Sequence, residues 1–259
     1  MAEMKVHPTA IVSPKAQLAS DVEVGAYSFI GPEVKIGPGT VIGMHCVVDN
    51  NTTIGKNCRV YTGAVVGSIP QDLKFKGEKS FLKIGDNNII REYATLNLGT
   101  GEGGLTQIGN NNLLMAYSHI AHDCIVGNDC IIANCGTLAG HVTIEDKAVV
   151  GGLVAIHQFV KMGTLSIVGG CSKVVQDIPP FSTCDGHPTK VFGLNLVGLK
   201  RANLSEESID GLKRAFKIMF RLGLTISHAL ERIQKEIPPS LEITRLVKFI
   251  QTSERGICR

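Results

Sequence analysis

Residues 24–48 read, in groups of six, VGAYSF, IGPEVK, IGPGTV, IGMHCV and V: an aliphatic residue opens every group and glycine follows it in each of the four complete ones. Outward from this stretch the same spacing holds at Val6, Val12 and Leu18, and at Ile54, Val60 and Val66. It lapses at Asp72 and Glu78, returns at Ile84, Ile90 and Leu96, lapses at Glu102 and returns at Ile108. From there it runs in steps of six to Val174. A strict period of six fits neither a helix of period 3.6 nor an alternating strand. It predicts short strand, tight corner, short strand, with three hexads closing a triangular coil of eighteen residues and coils stacked about 4.8 Å apart. The glycines after each aliphatic are expected to supply the permissive backbone of the corners. Four steps after the aliphatic stands a small or β-branched residue, as at Ala10, Ser28, Thr40, Cys46 and Ala64, which should also point inward. The fold class is therefore mainly β: a parallel β-helix over residues 1–176.

Both lapses restore the register afterwards, so 71–80 and about 100–106 are expected to be loops extruded from an intact coil. Loops held by a rigid scaffold are natural ligand contacts. After Val174 the repeat ends at Asp177-Ile178-Pro179-Pro180, and residues 177–259 are read as a linker and a C-terminal helical domain. Ser205-Glu206-Glu207 carries an N-capping signal for a helix to about Leu222. Further helices are expected over 225–237 and 241–251. Each coil buries its face only against its neighbours, so these helices should cap the open end.

The net charge of +3 resides in this last part, with 13 basic and 9 acidic residues against 13 and 14 before it. Lys213, Arg214, Lys217 and Arg221 form a stripe at helical spacing, which suits a solvated face or an acidic protein partner. No nucleic-acid-binding motif accompanies it. The apolar run Ala148–Val160 is too short to span a membrane, and Met1–Lys5 leads into no secretory signal; a cytoplasmic protein is expected, without stable membrane insertion. Among the eight cysteines no metal-site spacing is seen, and Cys46, Cys58, Cys124 and Cys130 fall on the small-residue step, as buried reduced thiols would.

Folding the numbering onto eighteen puts His122, His141 and His157 at steps 14, 15 and 13 of three successive coils, near one corner. Gly140 shares the step of His122 one coil on, where its N–H can serve as an oxyanion donor. Asp123 can fix the tautomer of His122 if a corner turns the two side chains together. Three histidines can also hold zinc. The His-x-x-x-x-His of the zinc-dependent anhydrases on this coil is missing, because Tyr117 stands five before His122. A pure scaffold would leave the histidines and both loops unexplained.

Ser118-His119-Ile120-Ala121-His122-Asp123-Cys124, Pro70-Gln71-Asp72-Leu73-Lys74, Ala139-Gly140-His141-Val142 and Val154-Ala155-Ile156-His157-Gln158-Phe159 resemble the acyl-[acyl-carrier-protein]:UDP-N-acetylglucosamine O-acyltransferases, which begin lipid A biosynthesis. The resemblance covers essentially the whole chain. It implies a left-handed coil, against the usual right-handed crossover, and a homotrimer with each active site between neighbouring coils. It implies transfer of a 3-hydroxyacyl group from acyl carrier protein to the 3-position of UDP-N-acetylglucosamine, with His122 as general base, Gly140 as oxyanion donor and no cofactor or metal. Substrate contacts carry over to Gln71, Asp72, Lys74, His119, His141, His157, Gln158, Asn195 and Arg201. Gly170, lacking a side chain, is expected along the acyl groove. Asn97-Leu98 stands where His-Arg is frequent, and Val197 and Ala202 replace a common Glu and Arg. Relatives acting on nitrogen, and serine acetyltransferases, carry a domain before the coil, whereas here the repeat starts at Val6. Small-molecule acetyltransferases using coenzyme A are the alternative.

Overall fold

A computed structural model describes residues 5–259; the reading of Met1–Met4 lies outside the described residues. The repeat closes into a left-handed prism with three faces of eleven, nine and eight strands, all parallel except the last strand of the first. Most strands are two residues long, as Glu23–Val24, Phe29–Ile30 and Lys35–Ile36, one on each face of a single coil. These three lie on the first, second and third faces, numbered in the order the chain visits them. From Val24 onward the aliphatic of each hexad points inward and is buried, as at Ile30, Ile132 and Leu138. In the first coil Val6 is 36% exposed, because no described coil precedes it.

The corners correct one expectation. Except at Gly67 (φ 87°), left-handed backbone occurs not at the glycines after the aliphatics but two residues later, at Tyr27 (φ 58°), Glu33 (φ 61°) and His45 (φ 55°) among many. Those glycines are required by close approach of successive coils instead: a Cβ on Gly25 would stand 2.6 Å from the carbonyl carbon of Gly43. The small-residue step behaves as expected. Cys46, Cys58, Cys124 and Cys130 are buried free thiols, and burial pushes Cys124 up to about 12 and Cys130 to about 11.

The loops are extruded without breaking the ladder. Thr52 pairs with Leu82, thirty residues on, and Leu82 with Thr106, twenty-four on, where Gln107 and Ile125 restore eighteen. The interruptions thus add twelve and six residues, together one full coil, which is why counting by eighteen survives across both. Their limits differ from the sequence reading. Leu105 and Thr106 already belong to the strand Leu105–Ile108, so the second loop ends at Gly104.

At the far end the coil does not pass straight into a linker. Ser182–Gly186 adds one more parallel strand to the first face, and Thr189–Leu194 pairs with it antiparallel. Helices α1 (Leu196–Arg201), α2 (Glu206–Arg221), α3 (Ile226–Glu236) and α4 (Leu241–Gln251) follow. Ser205, Thr225 and Ser240 cap the last three, each accepting a backbone N–H three residues on. Their buried faces, with Leu212, Phe216, Ile233 and Leu246, form a second core. The chain end returns to the coil, where Cys258 N–H donates to the Asp177 carbonyl. No helix among the described residues is long and apolar enough to cross a membrane.

Candidate active site

One edge of the prism, where the second face turns into the third, carries almost every residue singled out by sequence. The twelve-residue loop leaves it after the strand Val65–Ser68 and the six-residue loop after Thr95–Asn97. The corners of the next three coils bear His122, Gly140 with His141, and His157 with Gln158.

At the first of these corners Asp123 takes the left-handed conformation (φ 59°), which swings its side chain to the same side as that of His122. His122 Nδ1 and Asp123 Oδ2 lie 2.8 Å apart. Asp123 also accepts from the Thr100 amide at 3.0 Å and from the Thr100 hydroxyl at 2.5 Å. Burial pushes the Asp123 carboxyl up, but the bonds from Thr100 and His122 outweigh it and hold the group below its ordinary value. It is therefore an anion at neutral pH, and Nδ1 of His122 is the protonated donor. That tautomer leaves the Nε2 lone pair free.

Nε2 faces the next coil. A Cβ on Gly140 would stand 2.6 Å from it, so only glycine leaves room above the imidazole. His141 meets His122 edge-on with ring centroids 5.2 Å apart and stacks on Phe159 at 4.7 Å. His119 Nδ1 bonds the Thr95 hydroxyl at 2.7 Å. Burial, and then the nearness of His122, lower the His119 pKa, so this ring stays neutral. His157 and Gln158 are exposed one coil further on. Gln71 and Lys74 are exposed in the first loop, where Asp72 accepts from the Lys74 amide at 2.9 Å and shapes a turn.

Three predicted residues lie elsewhere on the chain. Asn195 and Arg201 border a cavity of about 730 Å³ beside the first face, with Val197 and Ala202. There Asn195 caps α1, accepting from Gly198 N–H, and donates to the Leu165 carbonyl at 2.9 Å. Gly170 sits on the edge between the first and second faces, exposed. Leu98 and Asn97, the departures from the common pattern, are both buried; Asn97 donates to Ser68 Oγ at 2.8 Å. Neither side chain is free to touch a phosphate. Sequence reading passed over Thr100, Thr95 and Phe159 as site residues. Thr100 had a signal, since it stands in the second interruption of the repeat.

His122, Asp123 and His141 offer ligand atoms within 4.8 Å of one another, the one such group among the described residues. Hydrogen bonding accounts for this closeness: Asp123 Oδ2 is occupied by His122 Nδ1 and the Thr100 hydroxyl. A cation would have to displace both.

A family model described as UDP-N-acetylglucosamine O-acyltransferase, domain 2, matches residues 177–258, and one described as bacterial transferase hexapeptide (six repeats) matches 33–68 and 105–140. The acyl-[acyl-carrier-protein]–UDP-N-acetylglucosamine O-acyltransferase of Thiobacillus denitrificans is 49% identical over 98% of this chain and 99% of its own. The chain belongs to this family of acyltransferases. The enzyme of the same name from Thermodesulfovibrio yellowstonii is also 49% identical, over 98% of this chain and 99% of its own. The solved structure of LpxA from Acinetobacter baumannii superposes with a TM-score of 0.95 at 46% identity, covering 98% of this chain and 99% of that one. The family's second-domain match begins at residue 177, where the hexapeptide register ends, so the hairpin over 182–194 falls with the helices in sequence although it continues the first face in space.

Proposed function

We propose that this chain transfers a 3-hydroxyacyl group from the phosphopantetheine thioester of acyl carrier protein to the 3-hydroxyl of UDP-N-acetylglucosamine, the first step of lipid A biosynthesis, with His122 as general base. The observation that carries the reading is the Asp123–His122 pair aimed at Gly140. Asp123 holds the proton on Nδ1, and Nε2 takes the proton of the sugar hydroxyl as its oxygen attacks the thioester carbonyl. The tetrahedral oxyanion is stabilised by the Gly140 N–H, for which no hydrogen bond is formed among the described residues. Collapse breaks the carbon–sulfur bond, and the leaving thiolate takes the proton back from the imidazolium. These steps call on no metal or cofactor. His119, His141, His157 and Gln158 border the zone of reaction, and Gln71, Asp72 and Lys74 reach the sugar nucleotide from the first loop.

A homotrimer completes the site. Asn195 and Arg201 lie beside the first face, away from the His122 edge, so they contact the nucleotide of a neighbouring chain's site, and Gly170 borders the acyl groove in the same assembly. Exposed Tyr27, Tyr93, Tyr117 and Leu153 along the first–second edge supply apolar surface for such packing. Acyl carrier protein, an acidic partner, docks on α2. There Lys213, Lys217 and Arg221 rim an apolar cavity of about 290 Å³ floored by Phe216 and Phe220. Arg214 is turned away from it, bonded to the Glu236 carbonyl.

The test is incubation of the protein with UDP-N-acetylglucosamine and a ladder of acyl carrier protein thioesters, with products identified by mass. A 3-O-acylated sugar nucleotide is expected. Acylation from coenzyme A thioesters alone would overturn the reading.

A further inference from the structure

The six-residue loop has a role that neither the repeat nor the acyl transfer itself explains. Its sequence, Gly99-Thr100-Gly101-Glu102-Gly103-Gly104, contains four glycines, and the backbone needs them. Gly101 and Gly103 have φ of 71° and 76°. A Cβ on Gly99 would stand 2.5 Å from the Gly104 carbonyl carbon, and one on Gly104 would stand 2.7 Å from the Thr100 carbonyl carbon. The loop is also tied to the preceding coil. Gly99 N–H donates to the Phe81 carbonyl at 3.1 Å, Gly103 N–H to the Lys79 carbonyl at 2.8 Å, and Lys79 N–H to a Glu102 carboxylate oxygen at 3.2 Å. The result is a closely folded, anchored turn, and the one side chain it sends to the catalytic corner is that of Thr100.

Both donors of Thr100 go to Asp123: the amide to Oδ1 and the hydroxyl to Oδ2, the oxygen that also faces His122 Nδ1. A carboxylate can rotate about its last bond, and a single bond from an imidazole does not fix its plane. Two donors from one residue, one on each oxygen, do. We propose that Thr100 is a positioning residue for the acyl transfer: it locks the Asp123 carboxylate plane so that Oδ2 holds His122 in the Nδ1–H tautomer. This rests on His122 acting as the base. A further contact supports it, since Asp123 N–H donates to the buried Thr106 hydroxyl at 2.8 Å and pins the main chain beneath the carboxylate. Main chain and side chain are thus both held, and the imidazole inherits the order.

Thr100→Val removes the hydroxyl donor but keeps the shape and the amide. It is expected to lower kcat about tenfold, the usual scale for one hydrogen bond to a charged group, with KM for UDP-N-acetylglucosamine unchanged, and Thr100→Ser should restore most of the loss. In an Asp123→Asn background the same change should cost less than about twofold, because contacts acting through one partner are not additive. Equal loss in both backgrounds, or no rescue by serine, would overturn the proposal. Nitrogen-15 imidazole spectra provide a readout independent of turnover: His122 should show the Nδ1–H tautomer in the wild type and a mixture in Thr100→Val. An unchanged tautomer in Thr100→Val overturns the role of Thr100. A wild type that transfers no acyl group from acyl carrier protein thioesters to UDP-N-acetylglucosamine, while the tautomer responds as expected, would instead overturn the acyl-transfer reading alone.

Discussion

A single corner residue with φ of 59° brings the proposed base and its partner to one side of the coil. In an extended strand Asp123 would point away from His122, and in the left-handed corner it lies beside it, at 2.8 Å. Asp123 also leaves a signature in stability. Its folded carboxyl lies below its ordinary value despite burial, through Thr100 and His122, and its side chain is only 14% exposed. The unfolded chain therefore takes up the proton first as pH falls. The stabilisation is full above the ordinary carboxylate value and is lost as pH drops through the folded value. Thermal unfolding followed from about pH 5 to about pH 2 should show a steeper fall in Tm for the wild type than for Asp123→Asn. Parallel curves would remove Asp123 from the account. Sequence counting brought His122, Gly140 and Asp123 to one corner, but the sign of φ that makes the pair productive is a property of three-dimensional closure, and no residue type announces it here. Thr100 was missed for a related reason: a threonine among glycines has no periodicity to mark its direction.

At the scale of elements, the coil was legible because its signal repeats more than twenty times, whereas the ends of the loops were not. Leu105-Thr106 pairs with Phe81-Leu82 although Glu102 breaks the hexad just before it. The hairpin over 182–194 was unseen as well, since five- and six-residue strands after a double proline share no period with the coil. Helices α2, α3 and α4 follow their capping residues and were read to within two residues. The sequence stripe of four cations on α2 resolves into three, Lys213, Lys217 and Arg221, which share one face of the helix and one apolar cavity. Reversing these three charges to glutamate should raise KM for acyl carrier protein thioesters about tenfold or more at low salt, and the effect should shrink as salt is added. Turnover of a small pantetheine thioester should be unchanged. An equal loss with both donors would show that α2 acts on folding and not on docking.

On the scale of the whole molecule, the faces of one chain separate His122 from Arg201, and the site proposed above is completed by a second copy. Mixing two inactive variants, His122→Ala and Arg201→Ala, after joint refolding should restore activity. In a closed ring of three with head-to-tail contacts, roughly a quarter of the sites would combine an intact base with an intact neighbouring α1. No recovery in mixed trimers would place the whole site within one chain. The central claim, that the second-to-third edge is the catalytic centre with His122 as its base, is tested most directly by His122→Ala alone. Its turnover is measured with UDP-N-acetylglucosamine and a 3-hydroxyacyl carrier protein, with circular dichroism and sedimentation checked against wild type. A loss of about a thousandfold in a protein of unchanged fold and assembly is predicted; turnover within about tenfold of wild type would contradict it.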